Sequence, residues 1–232
     1  MKRLKTASLL VIFSTCLVGL SLALPYTVTT DISSVPLGTA FDLEFSLIGW
    51  GDVYDAYVYI DNIFVSDPAG NIIVDFETGT MEGFSEDPWN AAGTVSIVSG
   101  HLPYRGGNYM LKLMEDPTGM QLTTIVYRGF TPSVPGILRF EFEIHNFEIG
   151  VWGEDTFVVS LYDTFGNPLL PSGVYGPGDP AILEATLSSG VKNSPDTTSA
   201  PIPEPATILL WSSGLLSLLI AAGGYRRIRI KR

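Results

Sequence analysis

"AFDLEFSL", Ala40–Leu47, alternates Phe41, Leu43, Phe45 and Leu47 with Asp42, Glu44 and Ser46. Successive side chains on an extended chain point to opposite faces, so this stretch has one apolar face and one polar face. A helix would scatter the same residues around its axis. "LRFEFEI", Leu138–Ile144, repeats the pattern, with Arg139, Glu141 and Glu143 on the polar face. "DAYVYIDNI" (Asp55–Ile63) and "DTFVVSLYD" (Asp155–Asp163) are runs of β-branched and aromatic residues, which suit strands. "PAGN" (Pro68–Asn71) and "TFGN" (Thr164–Asn167) suit hairpin turns. No long apolar stripe at helical spacing interrupts them. The prediction is an all-β domain, an antiparallel β-sandwich of the jelly-roll type.

The body spans residues 24–187, enough for one hydrophobic core. The segment starting at Gly38 echoes the segment starting at Gly136: alternating strand, Gly-acidic loop, second strand, Gly-Asn turn, apolar strand. Two similar hairpin units of one sandwich account for the echo better than two whole domains in so short a body. Residues 188–202 are rich in Ser, Thr, Pro and Gly and read as a linker.

Both ends of the 232-residue chain read as membrane-handling segments. Residues 1–23 begin with Lys2, Arg3 and Lys5, continue through an apolar stretch from Ala7 to Leu22, and finish on the small residues Ser21 and Ala23. This is the anatomy of a secretory signal helix, cut after Ala23 by signal peptidase once the Sec machinery has engaged it. The single cysteine, Cys16, lies inside it, so the mature chain has no disulfide, thiolate nucleophile or thiolate zinc ligand. Near the other end, residues 206–225 are uncharged and mostly apolar. As a helix they rise about 30 Å, enough to cross a bilayer once. Arg226, Arg227, Arg229, Lys231 and Arg232 follow, a basic cluster that stays on the cytoplasmic side.

Three of the 13 Lys and Arg precede the body and five follow the apolar run. Five remain between them with all 24 Asp and Glu, a net charge of −19. Basic ends inside and an acidic body outside give one consistent topology. Nucleic acid is excluded as a partner, because phosphate binding needs a basic face.

Pro203, Glu204 and Pro205 stand directly before the apolar run. Proline fixes φ, lacks an N–H and keeps its predecessor extended, so a stiff peptide with one carboxylate precedes the helix. Residues 203–232, with motif 203–205, transmembrane helix 206–225 and basic tail 226–232, resemble the PEP-CTERM sorting signal of Gram-negative bacteria. The resemblance implies recognition of Pro203, Glu204 and Pro205 by exosortase, a membrane-embedded transpeptidase-like enzyme. An inner-membrane-anchored precursor would then be released to the cell surface or the exopolysaccharide matrix. A second resemblance covers Phe76, Glu77, Gly79, Phe84 and Gly106–Tyr109. Together they look like the opening strands of jelly-roll modules in bacterial surface and glycan-binding proteins. Such modules often hold a structural Ca²⁺, which here would fall to Asp75 and Glu77, hard oxygen ligands at a strand start. No cofactor is required.

Few residues are placed for catalysis. His101 and His145 are the body's two histidines, too few for a zinc or Cys–His site, and each reads as a surface residue. Glu141 and Glu143 invite comparison with a glycosidase pair, but their alternation with Phe140 and Phe142 assigns them to the solvent face of a strand. Glu154 and Asp155 read as a solvated loop. Glycan contact would use aromatic platforms, Trp50, Trp89, Tyr104 and Trp152 foremost, with Tyr54, Tyr57 and Tyr109. The expectation is a non-enzymatic adhesive or scaffolding protein that contacts extracellular polysaccharide. The alternatives are a polysaccharide-active enzyme and a membrane-tethered structural protein without a ligand.

Overall fold

The alternating segments become strands in the computed structural model. It describes residues 25–50, 56–66, 71–86, 88, 90, 95–100, 102, 107–115, 120–132, 136–149 and 153–202. The strands are β1 (Tyr26–Asp31), β2 (Phe41–Trp50), β3 (Tyr57–Val65), β4 (Ile72–Val74), β5 (Phe84–Glu86), β6 (Val95–Ser99), β7 (Tyr109–Met114) and β8 (Met120–Phe130). They continue with β9 (Ile137–His145), β10 (Thr156–Asp163), β11 (Ser172–Gly173), β12 (Gly176–Pro177), β13 (Ala181–Thr186), β14 (Gly190–Asn193) and β15 (Thr197–Pro201). No helix occurs among the described residues. The segments expected to form the signal helix and the transmembrane helix fall outside them.

One sheet has the order β15-β1-β9-β3-β7-β6, with β4 beside the far half of β3. The other has the order β14-β13-β10-β2-β8-β5, and β11 and β12 form a small separate ribbon. All pairings between these strands are antiparallel. The inward residues of "AFDLEFSL" and "LRFEFEI" meet between the two large sheets. Phe45 on β2 sets its ring edge-on to Phe140 on β9, with centroids 5.2 Å apart, and Phe142 lies 5.2 Å from Phe157 on β10. Phe41, Leu43, Phe45, Leu47, Leu138, Phe140 and Phe142 are all fully buried. Each such side chain contributes about 2–3 kcal/mol by leaving water. The alternation thus forms one core between two antiparallel sheets, as in a β-sandwich.

The internal echo acquires a geometric meaning. Its first unit runs β2 then β3 and its second β9 then β10, and β2 pairs with β10 while β3 pairs with β9. Each unit crosses from one sheet to the other, so neither is a hairpin as the sequence suggested. Both units face a single core. "TFGN" does form its turn: Asp163 accepts N–H bonds from Phe165 and Asn167 at 2.8 Å, and Gly166 takes a positive φ of 84°. Residues 67–70 of the other turn lie outside the described set.

The linker expected at 188–202 is a correction. Residues 190–193 and 197–201 are the strands β14 and β15, which pair with β13 and β1. Backbone pairing at a sheet edge does not need apolar side chains, so Ser- and Thr-rich composition concealed these strands. In the register of β1 and β15, Tyr26 stands opposite Pro201. The first and last strand residues are therefore neighbours.

Candidate functional site

In β3 the alternation breaks. Ile60 and Ile63 are both buried but lie three residues apart rather than two. The extra residue makes a bulge: the register with β9 shifts between Asp61 and Phe64, and Asn62 adopts a φ of 54°. Asp61 stands opposite Glu141 of β9. The Asn62 amide donates to Glu141 Oε2 at 3.1 Å, and the Asn62 N–H donates to Asp61 Oδ1 at 2.7 Å. The N–H of Leu102, from the connection between β6 and β7, donates to Asp61 Oδ2 at 3.3 Å.

Asp61 and Glu141 are each 1% exposed. This overturns the solvent-facing assignment of Glu141: its strand face does point outward, but Asn62 of the bulge bonds its carboxylate, and the chain at Leu102 bonds the neighbouring Asp61. Asp155, also read as solvated, is completely buried, because its carboxylate accepts the Glu148 N–H at 2.7 Å. Glu143 keeps the half-exposed position expected of it.

Burial pushes the Asp61 carboxyl up from 3.8 to about 7, and the charges of Glu141 and Asp75 push the same way, against the two N–H donors. Between pH 4 and 7 the folded chain therefore keeps a proton that the unfolded chain has lost. Stability falls across that interval and is constant, as far as this group goes, above about 7. The Asp61→Asn variant removes this titration. Its melting temperature minus that of the wild type should rise by about 9 °C from pH 4.5 to pH 7.5 in calorimetry. A difference that stays constant with pH would mean that Asp61 ionises normally.

The two segments resembling surface jelly rolls touch through Glu77. Its Oε1 accepts the N–H groups of Asn108 and Tyr109 at 2.6 and 3.1 Å, and its Oε2 accepts the Asn108 amide at 2.9 Å. Asp75 Oδ1 accepts the Glu77 N–H at 3.3 Å. Glu82 reaches back to the N–H groups of Phe76 and Thr78, with Phe76 held at a φ of 58°. The carboxylates proposed for Ca²⁺ thus brace the turn against the start of β7. No cluster of three or more metal-ligating side chains occurs among the described residues.

Two further features lie towards the end of the fold where Tyr26 and Pro201 meet. Tyr57 stacks on His145 with centroids 4.7 Å apart, Tyr59 meets both edge-on, and Lys112 Nζ lies 4.2 Å from the centre of the Tyr57 ring. These residues cover one another, as cross-strand neighbours do. Beside them Asn146, Phe147, Glu148, Ile149 and Leu187 line an open groove of about 470 Å³. Ile149 is 62% exposed there.

Trp50 ends β2. Trp89, Tyr104 and Trp152 lie outside the described residues, as do Pro203, Glu204, Pro205, Arg226, Arg227, Arg229, Lys231 and Arg232. No protein-family model matches the chain, and no curated protein matches it. The Asp61–Asn62–Glu141 cluster was missed from sequence. The signal available was "IDNI", two polar residues between buried isoleucines, which marks a bulge.

Buried acid pairs can share or pass a proton, but catalysis also requires access for a substrate. At 1% exposure, Asp61 and Glu141 meet no substrate. Their arrangement fixes the bulge and the overlying chain.

Proposed function

We propose that the chain is an exported protein of the cell surface or exopolysaccharide matrix, sorted by exosortase through residues 203–232. The exported domain acts by adhesion or scaffolding and not as an enzyme. The observation that carries the reading is the order Pro203-Glu204-Pro205, uncharged apolar run 206–225 and Arg-rich tail, at the end of a stretch, residues 24–205, of net charge −19. The neighbouring ends of β1 and β15 agree with it. Tyr26 and Pro201 stand opposite each other, so the two ends of the described domain lie side by side.

The jelly-roll reading is supported by the nested wiring. In one sheet β1, β9, β3 and β7 lie in that order, and in the other β2 pairs with β8, which pairs with β5. Early strands find late ones, and the chain changes sheet at each step from β1 to β3 and again from β7 to β10. The open groove at Phe147 and Ile149 is the place we assign to a weak glycan contact.

The test compares wild type with Glu204→Ala and Pro205→Ala in cells that contain an exosortase, by fractionation and intact mass. The wild type should be shortened and leave the inner membrane, while both variants stay there at the longer size. Three chains of one size in the membrane fraction would leave "PIPEP" as a stiff spacer on a plain anchor.

A further inference from the structure

The motif follows the fold with almost no slack. Pro201 is still paired with Tyr26, and Pro203 is two residues further on. An enzyme that binds its substrate extended, and takes even four residues ahead of Pro203, would need residues 199–202, which begin inside β15.

Strand β15 is built to leave. It is the outermost strand of its sheet and pairs only with β1. Thr198, Ala200 and Pro201 are exposed, Ser199 is half-buried, and no β15 side chain belongs to the apolar core. Its attachments are polar: Thr197 Oγ1 to Thr30 Oγ1 at 3.1 Å and to Ser194 Oγ at 2.9 Å, and Ser199 Oγ to the Asn193 amide at 2.9 Å. Water replaces such partners when the strand opens, and no apolar surface of β15 itself is exposed. The core strand β1 keeps its other partner, β9.

We propose that β15 is a releasable strand, unzipping from β1 to hand the sorting motif to its processing enzyme and closing again afterwards. This rests on the sorting reading above. Release lengthens the free peptide ahead of Pro203 from one residue to about nine, roughly 30 Å when extended. A folded body can then stand clear of a membrane-embedded active site.

The test staples the strand shut. Thr29 and Thr198 stand directly opposite each other. The chain's single cysteine lies in the leader, so Thr29→Cys with Thr198→Cys introduces the mature chain's sole pair. Full-length chains are expressed in the exosortase-containing cells, and the disulfide is verified by its mobility shift with and without reductant. Each single variant should be shortened like the wild type. The disulfide-closed double variant should be shortened at least about tenfold more slowly, with the rate restored by reductant, which would not rescue a misfolded chain. Shortening of the closed form at the wild-type rate overturns strand release and leaves sorting intact. A wild type that keeps its full length overturns the sorting reading, and strand release with it.

Discussion

Phe45→Ala should lower the melting temperature of the domain by roughly 12 °C, a loss of about 4 kcal/mol. Phe45 is fully buried near the middle of β2 and reaches both sheets. Its ring lies 5.2 Å from Phe140, 5.8 Å from Phe84 and 6.2 Å from Phe157, centroid to centroid. Removing it strips transfer energy and leaves a void bounded by three rings on three other strands. Those rings cannot collapse into the gap without moving their strands. Phe45→Leu refills most of the volume and should lose less than half as much. Thermal unfolding followed by circular dichroism measures both. Equal losses for the two variants would mean that the gap closes freely, and would count against a rigidly packed core.

Gly49→Ala should be nearly as damaging, at about 3 kcal/mol, from the addition of a single carbon. A Cβ at Gly49 would fall 1.6 Å from Glu115 Oε2 and 2.8 Å from Glu115 Cβ. Rotating the carboxylate away does not relieve the second contact. Glu115 is itself buried, and its Oε1 accepts the Ala56 N–H at 2.9 Å, while its own N–H donates to the Ala56 carbonyl at 3.0 Å. The side chain is thus fixed from two directions. Glu115→Ala alone leaves the Ala56 N–H without its carboxylate and should lower stability by about 2 kcal/mol. The two changes made together should lose clearly less than their sum, because the second removes the carboxyl atoms with which the first collides and leaves only the 2.8 Å contact with Cβ, which a freed backbone can relax. Strict additivity in a double-mutant cycle would rule out the collision.

The core was legible because its signal is local. Phe41 to Leu47 and Leu138 to Ile144 announce their inward faces by period two alone, and those residues are buried as expected. The outward faces were misread wherever distant chain covers them. Glu141 has the same local pattern as Glu143, and what distinguishes it is the bulge on β3, whose Asn62 amide bonds its carboxylate from 79 positions away. The same holds for Asp155, enclosed by the turn at Glu148. Strands β14 and β15 escaped for a different reason. Edge strands gain their partners through the backbone, and "GVKN" and "TTSAP" carry little that composition could weigh against turn residues. Glu77 was singled out as a cation ligand, and its bonds to the backbone of Asn108 and Tyr109, more than 30 positions away, had no local signal.

The pairing of first strand with last also bears on how this protein is made. Thr30 and Thr197 touch across 167 positions of sequence. Synthesis delivers β1 long before β15, so one edge of the sheet stays open until residues 197–201 have been made. Contacts this distant close slowly, since a long loop must be ordered before they form. A chain that stops short of Thr197 exposes the six-residue edge of β1, a template on which a second unfinished copy can build. Adding β15 is thus the step that shields the domain from its own kind.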